Sequence, residues 1–207
     1  MNGPTMDRAS LRSACIDGDG FATWPEANSS TGWAVEPRSS TAAFAVRNFG
    51  VRTVHGIVPI LDATVVTGNA PADGRPALPT GLPVVTAVRM TVNLAGIDTA
   101  NNRRDNDLRG RHLLDTEHHP HLIFDCTDVR EGPDGWQLAG TLTAHGRSAP
   151  VTVHAALTAG PVRDLLTVRA TTTFDRRALG IRAPRLMIGF EVAVEVSAQF
   201  RLIRADL

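Results

Sequence analysis

The chain has no lysine and no tyrosine, and all 21 of its basic residues are arginine. Without lysine, Schiff-base chemistry has no nucleophile. The arginine bias is that of a GC-rich coding sequence and points to no mechanism. Aromatic residues make up only 5% of the chain, and there are two cysteines, Cys15 and Cys126. They form no Cys-x-x-Cys pair and lie far apart, so neither a disulfide framework nor a cysteine zinc site is indicated. Arginine is balanced by 21 acidic residues, giving a formal net charge of zero, which argues against a general nucleic-acid footprint. No apolar run approaches the ~18 residues of a membrane-spanning helix. Met1 to Asp19 has no apolar core of a secretory signal. Leu11 to Cys15 faintly resembles a lipoprotein cleavage site, but Arg12 argues against it, and a cytoplasmic protein is expected. A Gly-x-Ser-x-Gly elbow, a phosphate loop and a Gly-x-Gly-x-x-Gly fingerprint are all missing, and Ser148 near His145 makes no triad.

What is present is a long series of short alternating segments. Residues 1–31 are rich in Gly, Ser, Asn, Asp and Pro and have no period, so they read as a flexible extension, with Trp24 as a surface anchor. Residues 32–207 read as one all-β domain. Trp33–Val46 reads as a first strand pair. Val54–Val66 follows, with Gly56 and Pro59 marking a bulge or an edge. Gly68–Pro83, with Pro71, Pro76, Pro79 and Pro83, reads as an irregular connection that lies over one end. Further strands are expected at Val84–Gly96, His121–Val129, Trp136–Ala144, Val151–Leu157 and Leu165–Phe174, and one short helix at Leu108–Glu117. Pro133-Asp134-Gly135 and His145-Gly146-Arg147 read as turns. In the last strand Phe190, Val192, Val194, Val196, Ala198 and Phe200 share one face, and Glu191, Glu195, Ser197 and Gln199 the other. Cys126 falls in an apolar strand, where a buried, inert thiol is expected. About eight such strands close most economically as an antiparallel up-and-down barrel, which leaves no exposed edge; a sandwich is the alternative. A barrel of this size is either filled by side chains or holds one small ligand.

The densest chemistry lies at Ile97–Arg109. After the alternation of Val88, Met90, Val92 and Leu94, it packs three arginines, three aspartates and three asparagines into thirteen residues. Arg104 and Arg109, with Arg177 of the later Arg176-Arg177 bend, are candidates for an anionic head group, because a guanidinium fork matches phosphate oxygens. The competing reading pairs them with Asp98 and Asp105 as structural ions, with Asp98 holding the turn through its backbone bonds. His112, His118, His119 and His121 invite a metal reading, but Pro120 disrupts the one pair that shares a strand face, and a solvated loop is expected instead.

Several motifs occur in the order found in the YceI-like family of lipocalin-like, polyisoprenoid-binding barrels, which the chain resembles over residues 33–203. They are Trp33-Ala34-Val35-Glu36-Pro37, Val54-His55-Gly56, Ile97-Asp98-Thr99 with Arg104-Asp105 and Leu108-Arg109, and His119-Pro120-His121-Leu122-Ile123-Phe124. Leu138 to Gly146 resembles the family's Gly-x-Leu-Thr-x-x-Gly hairpin, and Phe174 to Ile181 its Arg-x-Asp-Phe-Gly-Ile bend. The chain departs from the pattern at Arg38, Asn48 and Asp107, where the family has histidine, and at Leu113 and Leu114, where it has phenylalanine.

The resemblance implies a closed apolar cavity for an isoprenoid chain, a polyprenyl pyrophosphate or a quinone, held for carriage or storage with no chemistry or cofactor of its own. The inward candidates for lining it are Phe44, Val88, Met90, Val92, Leu94, Leu122, Phe124, Leu142, Phe174, Val192 and Val194. Each is equally compatible with ordinary core packing, and only a central void separates the two readings. The alternative function is an enzyme or sensor that keeps the barrel with a filled or polar interior. Stable membrane insertion is not expected, and dimerisation through an outer barrel face is compatible with a sequence that defines no interface.

Overall fold

The computed structural model describes residues 32–68, 84–132, 134–159, 164–183 and 188–203. The expected extension at 1–31 and most of the proline-rich connection lie outside them. Ten strands are described: β1 (Gly32–Val35), β2 (Thr41–Asn48), β3 (Arg52–Val58), β4 (Ile60–Gly68), β5 (Val84–Asn93), β6 (His121–Gly132), β7 (Gly135–Ala144), β8 (Arg147–Ala159), β9 (Leu165–Asp175) and β10 (Ile188–Ile203). Every pairing is antiparallel. β1 joins β4, and β4 to β10 follow in sequence order. β10 returns to β1, closing a ring of eight strands. The up-and-down barrel expected from the alternation is therefore the observed fold.

Two details depart from the expected order. β1 and β2 do not pair with each other. Both pair with the sixteen-residue β10, β1 along Phe200–Ile203 and β2 along Ile188–Ser197. The break falls at Pro37, which opens a short 3-10 turn and supplies no N–H to a ladder. β3 then hangs on β2 as a flap outside the ring, because Pro59 stops the ladder before β4. Among the described residues, the isolated Ile57–Asp98 bridge ties β3 to the far side.

The expected helix is also displaced. The one α-helix among the described residues is α1 (Asn102–Arg109), and most of Leu108–Glu117 is turn. The Asn101 side chain caps α1 by accepting the Arg104 N–H at 3.0 Å, as short polar residues do at an N-cap. Gly110 ends it. Residues 94–120 thus form a compact plug across one end of the barrel. The Leu94 N–H donates to the Pro120 carbonyl at 2.8 Å, joining the two ends of the plug, and His145 against the Leu114 carbonyl at 2.5 Å ties it to the β7–β8 turn.

Two glycines seat the large rings of the interior. A Cβ on Gly56 would stand 2.5 Å from the Phe44 ring, and one on Gly140 2.7 Å from the Phe124 ring. Each aromatic ring thus sits against a neighbouring strand's glycine, filling space that a side chain would occupy.

Candidate functional site

Period-two alternation sends one face of each ring strand inward. The rung formed by Trp136, Ala155, Ala170 and Val196 of the ring, continued onto β2 and β3 by Ala42 and Val58, runs across five successive pairings. Three of its six side chains are alanines, too small to meet across a barrel, and the centre stays open. The result is a cavity of about 240 Å³ whose walls are hydrocarbon except for Thr171, Thr172 and Arg176. An apolar cavity of ~150 Å³ already stays dry and takes up benzene, so this one disfavours water and accepts hydrocarbon.

All eleven residues read from the sequence as inward-facing meet at this cavity: Phe44 from β2, Val88, Met90 and Val92 from β5, Leu94 just after it, Leu122 and Phe124 from β6, Leu142 from β7, Phe174 from β9, and Val192 and Val194 from β10. The interior is neither packed solid nor polar. Other lining residues did not stand out in the sequence. Trp136, Leu138, Val151, Val153 and Leu157 belong to the wall as well, and once the register of β7 and β8 is known, the same alternation identifies them. Leu108, Leu113 and Leu114 form the floor, on the plug. Leu113 and Leu114 stand where the resembled pattern has phenylalanines, so smaller side chains close this end.

The arginines sort differently from expectation. Arg104 donates from Nε to Thr99 Oγ1 and from Nη2 to the Thr99 carbonyl, both at 2.7 Å. Arg109 donates to the carbonyls of Ala95 at 2.8 Å and Ile97 at 2.6 Å. Both are stitches of the plug, and neither lines the cavity. Their partners are not Asp98 or Asp105 either. Asp105, buried, accepts from the Thr99 N–H at 3.0 Å and its hydroxyl at 2.5 Å, while Asp98 accepts the Ala100 N–H at 2.7 Å and holds the turn. The ion-pair expectation fails because the uncharged Thr99 stands between Arg104 and Asp105. Arg177 points outward. It pairs with Asp175, whose carboxyl it holds below the usual range, and stacks over Phe190 at 3.7 Å.

The charge that does reach the cavity is Arg176, the residue beside the predicted one. It is 3% exposed, and burial pulls its pKa down. Its Nε donates to the Gly189 carbonyl at 2.8 Å, Nη1 to Ile181 at 2.7 Å, and Nη2 to Ala183 and Ile188, both at 2.9 Å. The guanidinium therefore gathers both sides of the 176–190 bend with four of its five N–H groups, and no carboxylate among the described residues forms a salt bridge with it. Arg176 lies in the Phe174–Ile181 bend that carries part of the family resemblance, but nothing in that stretch singled it out over Arg177.

The histidines do not converge as ligands. His118 Nδ1 lies 2.9 Å from Asp115, and the His119 ring lies 4.7 Å from that of His145. Among the described residues no group of three or more metal-type side chains comes together. Cys126 is 1% exposed, its thiol pushed up by burial. No helix among the described residues is long and apolar enough to cross a membrane.

The model of the YceI-like domain matches residues 33–200, most of the chain. The chain belongs to the YceI-like family. Among curated relatives of this YceI-like chain, the UPF0312 protein of Yersinia pestis (strain Pestoides F) is 34% identical over 76 residues, 37% of this chain and 40% of its own length. The UPF0312 protein of Serratia proteamaculans is 36% identical over 70 residues, 34% of this chain and 36% of its own length. The match thus spans about two fifths or less of those relatives. Solved structures share the fold at low identity. BcnA of Burkholderia cenocepacia superposes with a TM-score of 0.65 at 16% identity, covering 80% of this chain and 98% of its own. A polyisoprenoid binding domain from Saccharophagus degradans gives 0.58 at 12% identity, covering 83% and 98%. A Campylobacter jejuni YceI protein gives 0.56 at 15% identity, covering 75% and 88%.

Proposed function

We propose that this YceI-like barrel binds the hydrocarbon chain of an isoprenoid lipid, a polyprenyl pyrophosphate or a quinone-like molecule, and carries or stores it without transforming it. One observation carries the proposal: the alanine-rich rung leaves a cavity of about 240 Å³ walled almost entirely by hydrocarbon. An empty void of that size costs on the order of 6 kcal/mol at ~24 cal/mol per Å³, and an apolar chain recovers much of it. The fold shared with a domain described as polyisoprenoid binding favours an isoprenoid over other hydrocarbons. The described lining holds no carboxylate, imidazole or thiol, which favours binding over chemistry.

In this reading the eleven inward residues contact the chain. The anionic end, where there is one, faces Arg176, the charged side chain of the described lining, rather than Arg104, Arg109 or Arg177, none of which lines the cavity. The carrier works in the cytoplasm, and fractionation of cells producing the full chain tests that placement.

Trp136 lines the cavity and is the natural reporter, whereas Trp33, though buried, does not line it. Adding a short polyprenol from ethanol should shift Trp136 emission to the blue with saturation. Leu94→Asp, which sets a carboxylate against the chain, should abolish the response. Equal uptake by the wild type and Leu94→Asp contradicts the proposal.

A further inference from the structure

We propose that the tip of the β2–β3 hairpin is an interfacial anchor that seats this end of the barrel on an anionic lipid bilayer. The turn runs Asn48-Phe49-Gly50-Val51 and is closed by the Val51 N–H donating to the Asn48 carbonyl at 3.3 Å. Its two central residues have positive φ, 49° at Phe49 and 69° at Gly50. That geometry suits Gly, Asn or Asp at both places. Phenylalanine is a poor choice for the turn, and most of it stays outside the protein's interior. Phe49 is 61% exposed and the adjacent Val51 87%. Folding therefore gains little from either side chain, and an apolar medium outside the protein gives both a place to go.

Charge identifies that medium. The chain as a whole is neutral, yet residues 37–61 contain no aspartate or glutamate, and neither do residues 176–190. These two segments meet at the tip: Asn48 pairs with Ile188, and a Cβ on Gly189 would touch the Arg47 side chain. Arg47, Arg52 and Arg182 are exposed there, and among the described residues none of them pairs with a carboxylate. The carboxylates that border the second segment are Asp175, already neutralised by Arg177, and Glu191. Two apolar side chains at a turn, ringed by unpaired arginines, fit a surface with hydrocarbon beneath and phosphate above. The position fits too, because Val46 and Ile188, beside the tip, are themselves part of the cavity wall. An anchored tip would hold that end of the cavity against the bilayer from which a lipid is taken.

The inference rests on the surface and does not require the isoprenoid reading to hold. The full chain is floated with vesicles of phosphatidylcholine alone or with about 30% phosphatidylglycerol, whose negative surface attracts arginine. The wild type should partition to the anionic vesicles only, and high salt should release it. Arg47→Gln with Arg52→Gln should weaken partition roughly 25-fold, at about fivefold per arginine. Phe49→Asn with Val51→Thr should weaken it roughly tenfold or more through lost apolar burial, yet melt at or above the wild-type temperature, since asparagine suits the left-handed turn. Both variants should still take up polyprenol from ethanol, and failure there would count against the cavity reading while leaving the anchor standing. The anchor is overturned by no wild-type partition, by equal partition to both vesicles, or by unchanged partition of either variant. A wild-type dimer that Phe49→Asn with Val51→Thr dissolves, with no vesicle partition, would assign the tip to a second copy and overturn it as well.

Discussion

Replacing Ala170 with leucine tests whether the interior is a void or a packed core, because the two cases give opposite signs. Ala170 pairs with Ala155 on one side and Val196 on the other, and all three line the cavity. Leucine adds three carbons. At about 0.8 kcal/mol per buried CH₂, a void that accepts them yields a gain of about 2 kcal/mol. For a domain of this length that raises the melting temperature by roughly 4–8 °C, at ~2–4 °C per kcal/mol. In a barrel already filled by side chains the same carbons overpack, at a cost of about 1–3 kcal/mol, and the melt shifts down by a comparable amount. Thermal melts by circular dichroism on the ligand-free protein read the sign directly. The leucine should also weaken polyprenol uptake, since it occupies the space the chain needs. A stabilised variant that binds polyprenol as well as the wild type, or a destabilised one, would refute the reasoning from the void.

Other outcomes follow from local geometry. Gly56→Ala should lose about 1–3 kcal/mol, since its Cβ would meet the Phe44 ring at 2.5 Å and Thr99 Cγ2 at 2.8 Å; denaturant melts check this. Arg176→Lys should lose about 2–4 kcal/mol, read the same way, because a lysine point charge cannot span the four carbonyls that the planar fork now serves. Asp175 is held below the ordinary carboxylate range by Arg177. The stability it lends is complete above that range and is lost as pH falls through its lowered folded value, so Asp175→Asn should flatten the dependence of the melting temperature on pH below about pH 4. In a Cys15→Ser background, Cys126 should resist iodoacetamide until denaturant unfolds the barrel, because its thiol is buried and its pKa raised.

Period two made most of the barrel legible. The alternation in β10 runs long enough that its inward face, Val192 to Phe200, could be read without a partner, and the inward residues of β5 and β6 followed in the same way. Legibility ended where side chains bond to the backbone across space. The α1 boundary depends on the Asn101 cap and on Thr99 bonding both Arg104 and Asp105, and no spacing rule announces such contacts. Arg176 and Arg177 are neighbours with the same chemistry, yet one is buried under four carbonyls and the other stacks outside on Phe190. The strand direction at the bend decides between them, and that depends on the β9–β10 register. The void itself was invisible for a related reason. Ala42, Ala155 and Ala170 are far apart in sequence, and only the pairing of β2, β8, β9 and β10 aligns them on one rung.

Native mass spectrometry of the protein purified without detergent, followed by solvent extraction of whatever is bound, tests the central claim most directly. The account predicts an adduct with the mass of a prenyl chain, present in the wild type and absent from Leu94→Asp. An apo mass for the wild type that persists after incubation with polyprenol would contradict it.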